Sequence, residues 1–344
     1  MAAKPQTKPR LVARRSRSGF AAKLTKWYDG AKRDLPWRKT RDPYQILVSE
    51  IMLQQTRAQA VIPYYEKFLD CFPTAQDLAR ASETAVLRGW SGLGYYQRAR
   101  NLQRAARQIV ERGAFPPEYE AIRELPGVGA YTAAAVASIA FGIDRAVVDG
   151  NVMRVVARFT GDAADIGSPA TKIRFEKIAD TLLDRCDPGR FNQAMMELGA
   201  TICLPRNPLC LLCPVSTDCQ ARAQGKQSQL PVKLKRLQPV RVDATLLIVE
   251  RAGRILLWRR HSDSRRLGGF WELPSSEELP KARKLKGLGS FRHSITNHNY
   301  IFTVVKATVS DATSRFQWFE LAQLEGIPLS TTTRKALALL KQNH

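Results

Sequence analysis

LPGVGAYTAAAVASIAFGIDRAVVDGNVM, residues Leu125–Met153, is the stretch on which the reading of the fold turns. Gly127 and Gly129 bracket Val128 just after Pro126, between a short amphipathic run (Pro117 to Leu125) and the Ala-rich run from Tyr131 to Phe141. The second run is apolar on nearly every side, which predicts a buried helix. Glycines at such a turn admit positive φ and close approach of another backbone. Amides at the start of the second helix would then face outward, where a phosphate oxygen could bind. A tight connection between helices is the plainer reading of the same residues. Twenty residues beyond Gly129 stands Asp149, before Gly150 and Asn151. A carboxylate there can cap a new helix, carry chemistry, or do both.

The chain has 344 residues, with 54 Lys and Arg against 31 acids, a net charge of +23. That length predicts two or more domains, and that charge a polyanionic partner, most simply nucleic acid. No apolar run is long enough for a membrane span, and no signal-peptide pattern opens the chain. Residues 1–18 carry six Lys or Arg and no acid, and read as a disordered basic arm.

Further along, Phe20 to Gly30 reads as a helix, and Tyr44 to Phe72 as a helical run interrupted near Pro63. Glu50 lies in that run with Ile46, Leu47, Leu53 and Gln54 at helical spacing. A carboxyl on so apolar a face is expected to hold a proton near neutrality. Pairing with an arginine such as Arg38 is the structural alternative. Ala75 to Arg88 reads as one amphipathic helix. GLGYYQRARNL (Gly92 to Leu102) follows, with tyrosines beside arginines at a glycine break, suited either to wedging into stacked bases or to covering the core.

Cys203, Cys210, Cys213 and Cys219 are spaced C-x6-C-x2-C-x5-C in a Pro-punctuated segment. Four clustered thiols argue against a disulfide framework and for a reducing compartment. They point to a metal, either zinc or a [4Fe-4S] cluster. Residues 225–241 hold five basic residues, two prolines and no acid, and read as a linker. Beyond it the periodicity becomes strand-like: two strands about Ala252-Gly253, further strands at Gly269 to Leu273, Tyr300 to Ser310 and Phe316 to Leu321, and a closing helix at Thr332 to Lys341.

LPWR, SEIMLQQT, GLGYYQRARNL, LPGVGAYT, VDGNVMRV and the cysteine spacing together resemble the MutY-type adenine DNA glycosylases, helix-hairpin-helix enzymes of the endonuclease III superfamily. The resemblance covers about residues 20 to 344. It implies a multidomain chain: an all-α helix-hairpin-helix glycosylase domain at 19–224 with an iron-sulfur loop at 203–219, and an α+β Nudix-like domain at 242–344. It implies removal of adenine opposite 8-oxoguanine or guanine in double-stranded DNA, by a monomer in the cytoplasm, associated with a bacterial nucleoid. Matched by motif, Glu50 is the acid that protonates the leaving base and Asp149 opposes the sugar cation. Tyr131 and Asn151 support them, Arg38 borders the base pocket, and Gln55 and Tyr95 enter the helix at the lesion pair. Gly127, Val128 and Gly129 grip the backbone. Tyr131 stands where strand-cleaving relatives carry lysine, which implies a glycosylase that does not form a Schiff base. The four cysteines hold a [4Fe-4S] cluster. LLWRR and GGFWELP match the Nudix-like domain, but EELPKARKLKGLGSF is too basic to form its metal-binding acidic helix. In the loop RHSITNHNY, Ile295, Thr296 and Asn297 replace the Phe-Ser-His of many relatives, and Thr296 and Asn297 are expected to contact 8-oxoguanine. A thymine or oxidised-pyrimidine glycosylase and a non-catalytic DNA-binding protein are the competing readings.

Overall fold

The structure, a computed structural model, describes residues 19–234, 240–261, 268–295, 297–310 and 315–342. The basic arm at 1–18, residues 235–239 of the linker stretch, and Thr296 lie outside the described residues. Helices come first: α1 (Gly19–Ala31), α2 (Pro43–Leu53), α3 (Ala58–Cys71), α4 (Ala75–Arg80), α5 (Glu83–Gly89) and α6 (Gln97–Glu111). After them come α7 (Tyr119–Arg123), α8 (Ala130–Phe141), α9 (Gly150–Thr160), α10 (Pro169–Leu182), α11 (Pro188–Thr201) and the short α12 (Gln220–Ala223). Strands then replace helices: β1 (Val240–Arg251), β2 (Arg254–Arg259), β3 (Trp271–Glu272), β4 (Arg283–Ile295), β5 (His298–Thr308) and β6 (Phe316–Glu320), closed by α13 (Thr331–Gln342).

Two expected helical runs differ. The run from Tyr44 breaks at Gln54–Arg57, not at Pro63, which sits inside α3. Val61, Tyr65 and Phe68 recur at helical spacing and are buried, so packing holds α3 together. The carbonyl that loses its N–H partner to Pro63 is that of exposed Gln59, where solvent substitutes. The break goes instead to Gln55, whose backbone is left-handed (φ 60°). The run from Ala75 is two helices, because Thr74 and Ser82 each cap a start. Thr74 forms a reciprocal capping box with Asp77, and Ser82 accepts from the Ala85 amide.

The described residues form two compact units. The first takes 19–46, 117–124 and 128–234. Its core joins Phe20, Leu24 and Tyr28 of α1 to Val152, Val155 and Val156 of α9, Phe175 of α10, and Phe191, Met195 and Leu198 of α11. Helix α11 touches α1, α8 and α9, and so occupies the centre of this unit. It reaches α8 closely only because residue 189 is glycine. A Cβ there would lie 2.7 Å from the Ser138 carbonyl oxygen and 2.8 Å from the Ile139 Cα. Residues 225–234 of the linker stretch are tied to this unit: the Leu230 carbonyl accepts from Arg158 Nε, and the Val232 carbonyl accepts from the Ile166 amide.

The second unit takes 47–116, 125–127 and the described residues from 240 onward. In the sheet, β1 and β5 run parallel from Val240–His298 to Val249–Ala307. The β4–β5 hairpin is antiparallel, and β2 pairs with β3 and β6. Strand alternation feeds two apolar layers. Leu246, Ile248, Ile255 and Leu257 pack with Ala336 and Leu340 of α13, while Leu247, Val249 and Leu256 face Leu279 and Ala307. The segment read as a recognition loop, RHSITNHNY, is mostly strand: Ile295 ends β4 and His298 begins β5. Alternation there is masked by polar side chains on a half-solvated edge, so the strand was not legible. The β region also contacts the helices of its own unit. Tyr96 packs against Phe270 in a tilted pair with ring centroids 3.9 Å apart, Arg334 Nη2 donates to Ser91 Oγ at 2.8 Å, and Arg100 donates to the Gly268 carbonyl.

Gly189→Ala is expected to lower the unfolding free energy by about 1–3 kcal/mol, because helix backbone, not a flexible side chain, fills the space. Urea denaturation checks this. A loss below ~0.5 kcal/mol would mean that α8 and α11 can separate at little cost.

Candidate active site

The hairpin turn joins α7 to α8. Gly127 has φ 79°, and Asn101 of α6 occupies the space where a side chain at 127 would go, with its Cβ 2.6 Å from an added Cβ. The glycine is therefore required twice, by its backbone and by close approach. Gly129 caps α8 without a side chain, so it leaves the first amides of the helix to other acceptors. Val128 is buried, and Thr132 to Ser138 of α8 are buried throughout, as the apolar run predicts.

Asp149 is the N-cap of α9. Its Oδ1 accepts from the Val152 amide at 2.7 Å, and its Oδ2 accepts from Asn151 Nδ2 at 3.0 Å. The two donors fix the orientation of the carboxyl group at the start of the helix. Asn151 is held in turn: its Oδ1 accepts from Arg154 Nη2 at 2.8 Å, and Gly199 packs so closely that a Cβ would come within 2.7 Å of the Asn151 Cβ. The approach to Asp149 is anchored by Asn192, which accepts from the Val147 amide and donates to Ser138 Oγ and the Arg145 carbonyl. Tyr131, in the first turn of α8, donates its hydroxyl to Met196 Sδ at 3.3 Å.

Arg38 is committed to a buried ion pair. Its Nη2 lies 2.6 Å from Glu197 Oε2, and Arg33 binds the same carboxylate through Nε and Nη2, each at 2.8 Å. The Arg33 amide adds a further hydrogen bond. Burial alone would raise the Glu197 pKa, but these donors outweigh it and hold the carboxyl down at about 2. Glu197 was missed from sequence, where a single acid inside MMELGATIC resembles any helix-surface residue.

The second unit carries Glu50, Gln55, Tyr95, Gly127 and Asn297. Glu50 is 4% exposed on α2, beside Leu47, Ile51 and Met52, which are all buried. Gln55 is exposed and Tyr95 is 47% exposed, and both have left-handed backbone (φ 60° and 48°). Arg98 connects them: Nη1 donates to the carbonyls of Ile51, Met52 and Gln54, and Nη2 to those of Leu93 and Gly94. Burial lowers the Arg98 pKa to about 10, so it stays cationic at neutral pH. Asn297 lies at the β4–β5 turn, where its carbonyl accepts from the Val240 amide.

Among the described residues, none of the six cysteines forms a disulfide. Cys203, Cys210, Cys213 and Cys219 line one cavity with Arg158 and Gln227. Arg158 is almost fully buried. Its Nη1 donates to Cys203 Sγ at 3.3 Å and to the Leu204 carbonyl at 2.6 Å. Burial pushes the Cys203 and Cys213 thiols up, Cys213 to about 11. Among the described residues, no three His, Cys, Asp or Glu side chains converge closely enough to hold one metal ion. No described helix is long and apolar enough to cross a membrane.

Residues 48–181 match the HhH-GPD superfamily of base excision DNA repair proteins. The chain is 48% identical over 224 residues to the adenine DNA glycosylase of Homo sapiens, a match covering 62% of this chain and 41% of that protein. Against the adenine DNA glycosylase of Mus musculus it is 34% identical over 404 residues, covering 95% of this chain and 78% of that one. A solved thermostable thymine-DNA glycosylase superposes with a TM-score of 0.55 at 34% identity, over 60% of this chain and 95% of that one. The helical fold is thus that of a helix-hairpin-helix base excision protein. The chain belongs to the adenine DNA glycosylase family.

Since the Glu197 pKa is depressed in the folded chain, its stabilising contribution is full above the ordinary carboxylate pKa and fades as pH falls toward about 2. Glu197→Gln is expected to cost roughly 3–5 kcal/mol at pH 7, with the deficit shrinking between pH 5 and 2. Denaturant melts across that range test it. A pH-independent deficit would mean that the carboxylate's charge is not what stabilises.

Proposed function

We propose that this chain hydrolyses the N-glycosidic bond of adenine opposite 8-oxoguanine or guanine in double-stranded DNA, leaving the strand uncut. The opposite settings of its two carboxyls carry the reading. Glu50 sits in an apolar helix, and Asp149 sits at a helix N-terminus with two donors. Expelling adenine leaves an oxocarbenium-like sugar and requires a proton on the base. Glu50 supplies that proton. Asp149, oriented by the Val152 amide and Asn151, opposes the sugar cation until water adds to it. The adenine leaves the stack to reach them, with Gln55 and Tyr95 entering the duplex in its place. Tyr131 cannot form a Schiff base, so no strand cleavage follows. The hairpin amides at Gly127 to Gly129 and the net charge of +23 serve phosphate binding.

The four cysteines suit a [4Fe-4S] cluster. Four thiols lining one cavity supply the number of ligands that such a cluster takes. Arg158 supplies a buried cation and a donor to one sulfur. Bound there, the cluster supplies a four-point cross-link of the 203–219 loop. The C-terminal domain is read as a Nudix-like 8-oxoguanine recognition domain, with Thr296 and Asn297 as its contacts. After Pro274 the chain runs through turns into β4 and forms no acidic helix, which supports a binding role over pyrophosphate hydrolysis.

Single-turnover assays on duplexes with A opposite 8-oxoguanine, A opposite G, and T opposite G test the reaction. Adenine release is expected from the first two, and thymine release alone would overturn the reading in favour of the thymine-excising relative's activity. Glu50→Gln and Asp149→Asn should each slow excision by roughly a hundredfold or more while duplex binding persists. Near-parental rates in either would remove that residue from the mechanism. Anaerobically purified protein should contain about four irons per chain. Stoichiometric zinc without iron would reject the cluster.

A further inference from the structure

We propose that Arg98 is a positioning residue that presets the two probe loops, Gln55 and Tyr95, for entry into DNA. The proposal rests on the function proposed above, in which those side chains enter the duplex. Its observation is separate: one guanidinium donates to carbonyls of both loops. Nη1 reaches Ile51, Met52 and Gln54 at 2.9, 3.1 and 2.6 Å, and Nη2 reaches Leu93 and Gly94 at 3.2 and 3.3 Å.

The first set lies at the C-terminal end of α2, where carbonyls lack helix partners and a cation is favoured. The second set lies in a turn with three left-handed residues, Gly92, Gly94 and Tyr95. A left-handed backbone is unfavourable for Gln and Tyr and persists only where its surroundings impose it. The planar fork also stacks near Trp90 and Tyr95, at 5.6 and 5.5 Å from their ring centroids. Trp90 is fully buried and fixes the other face of the turn through Nε1 to the Gly94 carbonyl. Tyr95 itself remains about half exposed, so the stack aims the ring without burying it. A lysine could neutralise one set of carbonyls but could not bridge both in a plane.

The test compares Arg98→Lys with the parental chain on a duplex with A opposite 8-oxoguanine. Single-turnover excision should fall between ~10- and ~100-fold, with duplex affinity within about threefold. In a Gln55→Ala/Tyr95→Ala background the same substitution should change the rate less than about twofold, since Arg98 acts through those residues. Equal losses in both backgrounds would show a general structural role and overturn the proposal, as would a parental rate for Arg98→Lys alone. With 2-aminopurine in place of the target adenine, fluorescence should rise on binding of the parental chain and not of Arg98→Lys. If the parental chain excises no adenine, the proposed function falls, and this signal alone decides Arg98. No rise with the parental chain overturns both. Should Arg98→Lys fail to fold, hydrogen exchange of the parental chain decides: amides of 54–56 and 92–96 must open together, and separate opening overturns the assignment.

Discussion

The first unit depends on one buried carboxylate. Glu197 has no exposed side chain, and it binds two guanidiniums that belong to the segment after α1. The chain leaves α1, turns through Arg33 and Arg38, and enters α2 only after both arginines have closed on α11. Because α11 also packs on α8 and α9, the same helix fixes the hairpin helix and the helix that Asp149 caps. Glu197 thus stands in the centre of a frame that holds both α8 and α9 in place. Removing one partner would strand buried charge, which is far costlier than losing an exposed pair.

A second constraint is spatial. Gly127 admits Asn101, Gly189 admits the α8 backbone, and Gly199 admits Asn151. None of these glycines carries a functional group. Each lets a neighbouring element come closer than any side chain would allow. Asn151 is confined from one side by Gly199 and from the other by Arg154, so its amide has little freedom except toward Asp149. Preorganisation here is a matter of excluded volume as much as of hydrogen bonds.

Much of this was legible because it rests on local pattern. The hairpin shows in glycines beside an all-apolar helix, and Asp149 as a cap shows in Asp-Gly-Asn before an amphipathic run. The paired strands about Ala252-Gly253 show in their turn. What was not legible depends on pairs distant in the chain. Nothing local in the sequence links Arg38 to its partner Glu197, 159 positions away. Arg98 looked like one more cation in a basic stretch, and only folding shows its five carbonyls. Pro63 looked like a helix break, yet three buried neighbours keep α3 intact and move the break to Gln55, where no breaker residue stands. The strand β4 hid behind lysines and arginines because its alternation meets solvent on one face.

The pairing of α1 with α11 also bears on how the chain is made. Arg190 reaches Asp29, and Gln193 accepts from the Tyr28 hydroxyl across 165 positions. At synthesis rates of roughly 5–20 residues per second, α1 leaves the ribosome about 10–30 s before α11. For that interval its apolar stripe of Phe20, Leu24 and Tyr28 lacks the α11 side of its core, and its partners on α9 and α10 emerge only shortly before α11. The first helix made in this unit completes its packing only when α11 arrives, and a chaperone that shields an amphipathic segment would have its greatest effect over that interval.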